Sequence, residues 1–460
     1  MKSSLTIQVP FSFPRPATTI APVTHGQKFM WDLLLLTPEN LAFNNVGFMI
    51  NDTNGVTIDE VRSIVLQMLD RNESLRTVFH VIDERHTQEL LTSGEISVEC
   101  WLSSDGGDDD ARAMSLYSWL VNQPFAMSDF PARVGCVVDN ETVKRLVLVF
   151  SHMAIDGGGV PVLRKQLLSA LQNGGLYPNN SGSVRQPIEQ AAWEQAELGR
   201  RSTSQSALYW KNALSKFPPR MFEINQDGQA AEEWQELSFF SRRMGDCVEV
   251  LERFYRTSDT TIVLTMLLHA MAKYAQKDYI ATTICTSNRF HQHVEDSVGT
   301  FAQDIPLYAK IGHVDMSSLI EEIQDNLYTS YQYGLGDPLE ITRISRTAHN
   351  GFPVSLDSRI NVHYEKSALH NSSDRSQDLS DKIDRILTGS YIHGKDFAVS
   401  WSDGVPHLGK SLYVMSYSPR KILFLCNLNY MKKTKVEEMA MGIEETLLNL
   451  VLEIHESVSC

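Results

Sequence analysis

The sequence predicts a mixed α/β (α+β) protein divided into two subdomains. Its 460 residues exceed the roughly 250–300 residues at which a single hydrophobic core stops growing. Runs with helical spacing and runs with strand-like composition occur in both halves. Between the halves, residues 172–187 (QNGGLYPNNSGSVRQP) concentrate Gly, Asn, Pro and Ser without periodicity, as linkers do. We therefore expect an N-terminal subdomain over 1–178 and a C-terminal subdomain over 179–460.

The first half supplies a strand, a loop and a helix in direct succession. A helix is predicted from the capping box that Thr57 and Glu60 form, ending near residues 70–73. Residues 132–139 (ARVGCVVD) and 145–151 (RLVLVFS) are rich in β-formers and predict a hairpin. Three glycines and the amphipathic run VPVLRKQLLSAL follow this hairpin, so a short polar loop connects its second strand to a helix.

The second half alternates predicted helices with predicted strands and gives no internal repeat. The Ser/Asp-rich stretch 367–382 reads as a surface insertion. Helices are expected near 188–199, 205–214, 260–275 and 436–452, and strands near 278–286, 303–310, 360–366, 396–401, 411–418 and 421–428.

Composition and charge exclude several classes of protein. Forty-one basic and fifty-six acidic residues give a net charge of −15, the wrong sign for coating a nucleic-acid backbone. No stretch approaches the ~20 apolar residues of a membrane span, and the first residues lack the apolar core of a secretory signal. We expect a cytoplasmic monomer that binds neither nucleic acid nor membrane.

The cysteines are scattered, without the CxxC pairs of zinc sites or the density of a disulfide scaffold. We interpret them as buried thiols and expect no metal site and no bound cofactor. They are Cys100, Cys136, Cys247, Cys285, Cys426 and Cys460.

Four segments carry a family resemblance. Residues 24–31 (THGQKFMW) contain a Gln and a Trp at motif-like positions, and 71–79 (RNESLRTVF) follow the pattern RHExLRTxF. Residues 151–159 (SHMAIDGGG) follow HHxxxDG with Ser151 in place of the first His, and 297–304 (SVGTFAQD) stand where GxFVNT is expected. In this order they resemble the signatures of nonribosomal peptide synthetase condensation domains, in the CoA-dependent acyltransferase superfamily. The short runs YWK at 209 and SNR at 287 also fall at family-like positions.

The resemblance implies a specific architecture and a specific kind of substrate. It implies two chloramphenicol-acetyltransferase-like subdomains in a V-shaped pseudo-dimer, with the HxxxDG loop midway along a central tunnel. It also implies a donor on a phosphopantetheine arm, supplied in trans by an acyl or peptidyl carrier protein or as CoA. A small-molecule amine or alcohol would be the acceptor. Because the match occupies most of the chain, we expect a stand-alone enzyme.

His152 is the candidate catalytic residue. Its imidazole can accept a proton from an attacking amine or hydroxyl, or position that group by a hydrogen bond. Asp156 lies four residues on and has two interpretations, a His–Asp dyad or a carboxylate that stabilises its own loop. We favour the loop role, with Arg76 or Arg71 as the expected ion-pair partner.

The neighbours of His152 also have more than one interpretation. Gly157 belongs to the family motif, while Gly158 and Gly159 provide either positive-φ loop geometry or close approach to a pantetheine arm or oxyanion. Ser151 either donates a hydrogen bond to the reaction intermediate or fills the end of a strand.

Three further residues are candidates for binding substrate. Gln303 is one, from the fourth motif segment. Ser400 and Trp401 lie in DFAVSW, which weakly resembles the DFGWG motif of plant-type BAHD acyltransferases and is explained equally well by an alternating strand.

Carrier docking requires a local basic patch, because acidic carriers and this chain repel each other. Arg164 and Lys165, in the helix that follows the HxxxDG loop, are the first candidates. Further candidate pairs are Arg200 with Arg201 and Arg420 with Lys421.

Three functions remain open on the sequence alone. The first is amide formation from a carrier-bound acyl or aminoacyl group and an amine in natural-product biosynthesis. The second is ester formation from an acyl-CoA or carrier thioester and an alcohol. The third is a noncatalytic condensation-like protein that recruits partners.

Overall fold

The protein is described from a computed structural model. Among the residues it describes, no helix is both long enough and apolar enough to cross a membrane. The described residues are 4–14, 16–36, 38–103, 107–174, 176, 184–224, 234–290, 293–312, 315–348, 354, 356–362, 375–403 and 409–459.

The chain forms two compact units that differ from the expected halves. The first unit comprises Met1–Ser204 together with two later segments, Ser287–Gln303 and Leu335–Pro338, and the second comprises the remainder. The expected boundary after residue 178 lies outside the described residues. The first unit extends past it because helices beyond the linker pack on its strands, including the helix Pro187–Gln195 against the strand Ile20–Pro22.

Within the described residues, the first unit is built on a five-stranded and a three-stranded sheet, in the orders β1-β6-β7-β8-β3 and β2-β5-β4. Strands β6 and β7 are parallel, and the other paired strands of these two sheets are antiparallel. The strands are β1 (Ser4–Ser12), β2 (Ile20–Pro22), β3 (Val46–Ile50), β4 (Thr77–Ile82), β5 (Arg85–Leu90), β6 (Ser93–Leu102), β7 (Ala132–Asp139) and β8 (Thr142–Phe150). The helices are α1 (His25–Leu34), α2 (Ile58–Arg71), α3 (Asp109–Val121), α4 (Gly159–Gln172), α5 (Pro187–Gln195) and the start of α6 (Glu197–Leu214).

Local sequence explains the elements that frame the candidate loop. The predicted capping box at the start of α2 is present, with Thr57 and Glu60 each accepting the other's backbone N–H. Strand β8 ends in five consecutive buried residues, Leu146 to Phe150. Both faces of β8 are covered because α2 and α4 pack on one side of the sheet and α3 on the other.

In the part of the second unit that the structure describes, the strands form one seven-stranded sheet in the order β11-β10-β12-β14-β15-β9-β13. A large apolar core lies between one face of this sheet and the surrounding helices. The strands are β9 (Trp234–Ser241), β10 (Tyr279–Thr286), β11 (Gln303–Lys310), β12 (Ser358–Val362), β13 (Phe397–Ser402), β14 (Leu412–Ser418) and β15 (Lys421–Asn427). The helices are the rest of α6, α7 (Arg242–Tyr255), α8 (Asp259–Ala275), α9 (Met316–Tyr331), α10 (Pro338–Thr347), α11 (Arg375–Thr388) and α12 (Lys433–Ser459).

The predicted mixed α/β class is confirmed, but the proposed insertion at 367–382 is wrong in part. Residues 367–374 lie outside the described residues, whereas α11 begins at Arg375 and packs on α7. Ion pairs hold it there, because Lys382 reaches Glu249 at 2.5 Å and Arg385 reaches the buried Asp246 at 3.2 Å. A stretch that its Ser and Asp content marked as a surface insertion therefore includes part of a helix that packs on another helix.

Candidate active site

The HxxxDG loop begins as a tight turn at the end of β8. The backbone N–H of Ser151 donates to the carbonyl of Pro131 at 2.9 Å. The Ser151 carbonyl in turn accepts from the N–H groups of Ala154 and Ile155, at 2.9 and 3.3 Å. This turn leaves His152 partly exposed at the point where the strand stops.

Apolar anchors follow His152 directly. Met153 is buried in a small cluster with Met30, Trp31, Leu34 and Phe79, and the rings of Trp31 and Phe79 meet edge to face at 6.3 Å. Ala154 and Ile155 are buried in the main core of the first unit. The first three motif segments thus meet at Met153, and the buried residues after His152 anchor the loop.

Asp156 is completely buried and held by donors from three segments. One carboxylate oxygen, Oδ2, accepts from the backbone N–H groups of Phe301 and Ala302, both at 2.8 Å. The other oxygen accepts from the N–H of Gly159 at 2.8 Å and so satisfies the first backbone N–H of α4. The Arg289 guanidinium spans both oxygens, at 2.8 Å from Oδ1 and 3.0 Å from Oδ2.

This environment keeps Asp156 ionised. Burial alone would raise its pKa, but the charge of Arg289 and the hydrogen bonds outweigh burial and lower the pKa below its usual value. Both oxygens are committed to Arg289 and backbone N–H groups, which supports the loop-stabilising role over a dyad with His152.

The expected ion-pair partners of Asp156 are wrong. Arg289 takes that role, whereas Arg76 donates to the carbonyls of Leu69 and Leu91 at 2.9 and 2.7 Å. Arg76 therefore joins the end of α2 to the segment after β5. Arg71 is partly buried at the last residue of α2.

The glycines after Asp156 make room for Arg289. Gly158 has a φ of −77°, and Gly159 is the first residue of α4, so neither needs the positive φ that was one expectation. A Cβ on Gly158 would lie 2.6 Å from Nη1 of Arg289, and one on Gly159 would lie 3.1 Å from Nη2. The close approach here is to a protein side chain. Gly157 is exposed.

The segment 297–302 forms the other wall of the loop. The carbonyl of Gly299 accepts from the N–H of Asp156 at 3.1 Å and from Arg289 at 2.9 Å. The hydroxyl of Thr300 donates to the carbonyl of His152 at 2.6 Å. Gly26 near the start of α1 completes the contact, because a Cβ there would lie 2.3 Å from the Thr300 carbonyl oxygen.

Gln303 is buried and bonded within the protein. Its side-chain nitrogen donates to the carbonyl of Gly336 at 2.8 Å, and its side-chain oxygen accepts from the N–H of Gly336 at 3.2 Å. Such a two-way amide bond fixes Gly336 to the end of the motif segment and favours a structural role.

Ser400 and Trp401 lie on β13, an edge strand of the second unit. Ser400 is exposed, and the indole N–H of Trp401 donates to Glu437 at 2.6 Å. Asp396, the first residue of the BAHD-like stretch, pairs with Arg242 at 3.4 Å. The stretch Phe397–Ser402 is a strand, as one of the two interpretations expected, but its burial does not alternate regularly.

The proposed docking cations differ in availability. Lys165 is exposed on α4 and Arg164 is partly buried beside it. Arg200 and Arg201 are exposed on α6. Arg420 is bound within the protein, at 3.8 Å from Asp246 and 3.4 Å from Glu249, which makes it a structural residue.

Sequence reasoning missed the roles of Arg289 and Thr300. Arg289 lies 133 positions after Asp156 in the chain. Local sequence patterns cannot predict an ion pair between residues so far apart. The one available signal was the short family-like run SNR at 287. Thr300 occupies an unspecified position of the fourth motif, so nothing distinguished it from a spacer.

The fold and this loop define a two-unit α/β protein with a histidine site at the end of a strand. A family model described as "Condensation domain" matches residues 17–400. The chain belongs to the condensation-domain family, and the family resemblance seen in the sequence is confirmed.

Characterised peptide synthases are similar to this chain in sequence, at low identity. Chondramide synthase of Chondromyces crocatus is 22% identical over 302 residues, which are 64% of this chain and 8% of that synthase. The chain therefore spans less than a tenth of that relative's length.

Solved structures share the fold. One, on condensation domain-mediated chain release from the enacyloxin polyketide synthase, has a TM-score of 0.72 at 15% identity, covering 96% of this chain and 84% of the other. Another, the epimerization domain from the third module of tyrocidine synthetase B, has a TM-score of 0.67 at 14% identity, covering 96% and 99%.

Proposed function

We propose that the chain is a condensation enzyme that transfers an acyl or aminoacyl group from a carrier-protein phosphopantetheine thioester to an amine in natural-product biosynthesis. The observation that carries the proposal is the HxxxDG loop, in which a partly exposed His152 precedes a buried, ion-paired Asp156. Family membership supports the same chemistry.

In the proposed reaction, the acceptor nitrogen attacks the thioester carbonyl carbon. A C–N bond forms, the C–S bond breaks, and the pantetheine sulfur departs. His152 accepts the proton that the nitrogen loses and passes it to the departing sulfur, so the imidazole is neutral again after each turnover. An alcohol acceptor would depend more strongly on His152, because a hydroxyl needs a base whereas a neutral amine does not.

We propose that the donor carrier is supplied in trans and docks on α4. The family match already occupies residues 17–400, so a carrier must lie outside it. The exposed Lys165, six residues after the start of α4, offers a cation close in sequence to the HxxxDG loop.

Product analysis tests the reaction class. The protein would be incubated with carrier-bound and CoA-bound acyl donors, each against a pool of amines and a pool of alcohols, and the products identified by mass. We expect amides from the carrier-bound donor. Esters from either donor would instead establish the alternative acyltransferase reaction.

Two further arms complete the test. Because an epimerization domain shares this fold, an L-aminoacyl carrier thioester would be examined by chiral analysis after hydrolysis. Loss of chirality without condensation would reject the proposal, as would the absence of any product from all donors. His152→Ala serves as the background control in every arm.

A further inference from the structure

Two hydroxyl groups hold the peptide unit between His152 and Met153 from opposite sides. On one side, the Thr300 hydroxyl donates to the carbonyl of His152 at 2.6 Å. On the other side, the N–H of Met153 donates to the hydroxyl oxygen of Ser151 at 3.3 Å. In a trans peptide the C=O and N–H point in opposite directions, so the two contacts together restrict rotation of that plane.

The orientation of this plane sets ψ of His152 and thereby restricts the backbone from which the His152 side chain projects. Rotation of a peptide plane changes ψ of the residue before it and φ of the residue after it. Met153 is anchored in its apolar cluster, so freedom in the plane would be taken up at His152. The clamp is buried on one side, since Thr300 is 4% exposed.

Ser151 has a specific use in this arrangement. It stands where the family motif has its first His, and its hydroxyl accepts from the N–H two residues later, a turn geometry typical of serine. Its hydrogen bond is longer than the usual 2.9–3.0 Å, so Thr300 makes the stronger of the two contacts.

We propose that Thr300 and Ser151 are positioning residues that clamp the peptide plane after His152 and so aim its imidazole at the acceptor. The inference rests on the proposed function for its kinetic consequence, but the clamp itself is a property of the loop. Thr300 contributes the main restraint, and Ser151 contributes the second.

The test compares Thr300→Val, Ser151→Ala and the double variant with wild type. Val keeps the shape of Thr without its hydroxyl. We expect Thr300→Val to lower kcat about tenfold with KM within about twofold, since small misplacements of a catalytic group cost up to about 10²-fold. Ser151→Ala should lower kcat less, and the double variant should depart from the product of the single effects because both hold one plane.

A second measurement does not depend on turnover. In protein labelled with 13C at Cε1 of histidine, the His152 resonance is the one lost in His152→Ala. We expect this resonance to shift or split in Thr300→Val, and Thr300→Ser, which restores a hydroxyl, to bring back its position and most of kcat.

Thr53→Val is the matched control. Thr53 is 3% exposed in the same unit, and its hydroxyl donates to the carbonyl of Val143 at 2.5 Å. Its loss should lower Tm while leaving the His152 resonance and kcat unchanged. The clamp is rejected if Thr300→Val matches Thr53→Val in both readouts, or if Thr300→Ser behaves like Thr300→Val.

Failure of the proposed function gives a different pattern. If the wild-type protein transferred no acyl group to any acceptor, the proposed condensation activity would be rejected. The His152 resonance in the Thr300 variants would still test whether Thr300 positions His152.

Discussion

At the scale of single residues, the loop separates a reactive side chain from the side chains that hold it. His152 is partly exposed, whereas Asp156 is completely buried and bonded to Arg289 and three backbone N–H groups. These donors stabilise the ionised form of the buried carboxylate, because each of them binds a negatively charged oxygen more strongly than a protonated one. The two motif residues therefore have different energetic roles, and their variants should fail in different ways.

His152→Ala should remove most turnover and leave the fold intact. General acid–base catalysis is typically worth about 10²–10⁴-fold. Residue 152 is partly exposed and outside the apolar core clusters, so its truncation should cost little stability. Turnover by product mass and Tm by calorimetry measure the two effects. His80→Ala, which removes a partly exposed histidine paired with Glu89 at 3.0 Å, is the control and should keep full activity. A His152→Ala rate above about a tenth of wild type would contradict the general-base role.

Asp156→Asn should lower stability together with activity. Removing one partner of a buried ion pair typically costs about 3–5 kcal/mol, because the other charge stays buried without compensation. Arg289 is such a charge, with a side chain 7% exposed. Denaturant unfolding measures the loss, and a variant that is inactive but as stable as wild type would instead favour a His–Asp dyad.

The same pair gives stability a defined pH dependence. The folded-state pKa of Asp156 is lowered from 3.8, so its contribution is complete above the unfolded pKa and disappears as pH falls through the folded pKa. The stability difference between wild type and Asp156→Asn should therefore be constant above about pH 5 and shrink below about pH 4. If the stability difference between the two proteins at pH 3 equalled that at neutral pH, the ionised Asp156 carboxylate would not be its source.

At the scale of elements, the site depends on a close contact between α1 and the segment 299–301. Gly26 allows it, since a Cβ there would lie 2.3 Å from the Thr300 carbonyl oxygen and 2.8 Å from the Phe301 Cα. Both are backbone atoms, so a side chain at position 26 could be accommodated only if the segment 299–301 moved. The same segment binds His152 and Asp156.

Gly26→Ala should therefore destabilise the protein by about 1–3 kcal/mol, as overpacking does, and lower turnover as well. Gly442→Ala is the matched control in α12, where an added Cβ meets nothing within 4 Å. There the substitution should stabilise by about 0.5–1 kcal/mol, because Ala is the better helix former. Equal effects of the two substitutions on Tm and turnover would show that the α1 contact is not needed.

The elements found from sequence are those whose signal is local. The hairpin of β7 and β8 was predicted from its β-rich runs, and α2 from its capping box. Helices α7 and α11 were not, because their charged residues face each other across a helix pair and do not mark a solvent surface.

The site was predictable to the extent that it is contiguous. The order of strand, polar loop and helix around residues 151–159 was predicted correctly, although the strand ends and the helix begins one residue earlier than expected. The partner of Asp156 was missed because Arg76 and Arg289 are chemically equivalent candidates, and chain folding alone selects between them. Arg76 is engaged by the carbonyls of Leu69 in α2 and Leu91 after β5, which leaves the ion pair to Arg289.

At the scale of the whole molecule, a net charge of −15 affects how readily the protein can bind a charged partner. An acidic carrier would be repelled at long range, and a short-range cation must offset that repulsion. Lys165 and Arg164 on α4 are the proposed pair, whereas Arg420 is engaged with Asp246 and Glu249. Salt shortens the range of both effects, to about 10 Å at 0.1 M.

Charge reversal at Arg164 and Lys165 should raise the apparent KM for a carrier-bound donor several-fold. The effect should be larger at low salt and nearly absent for a small pantetheine thioester, which has no protein surface to dock. Reversal of the exposed Lys211 on α6 and the exposed Lys216 just after α6 is the control, because it makes the same change in net charge, from −15 to −15 − 4 = −19. If both pairs raise KM equally, long-range repulsion and not a docking site explains the result. If the α4 pair affects both donors alike or neither, α4 is not the carrier dock and a CoA donor becomes the better hypothesis.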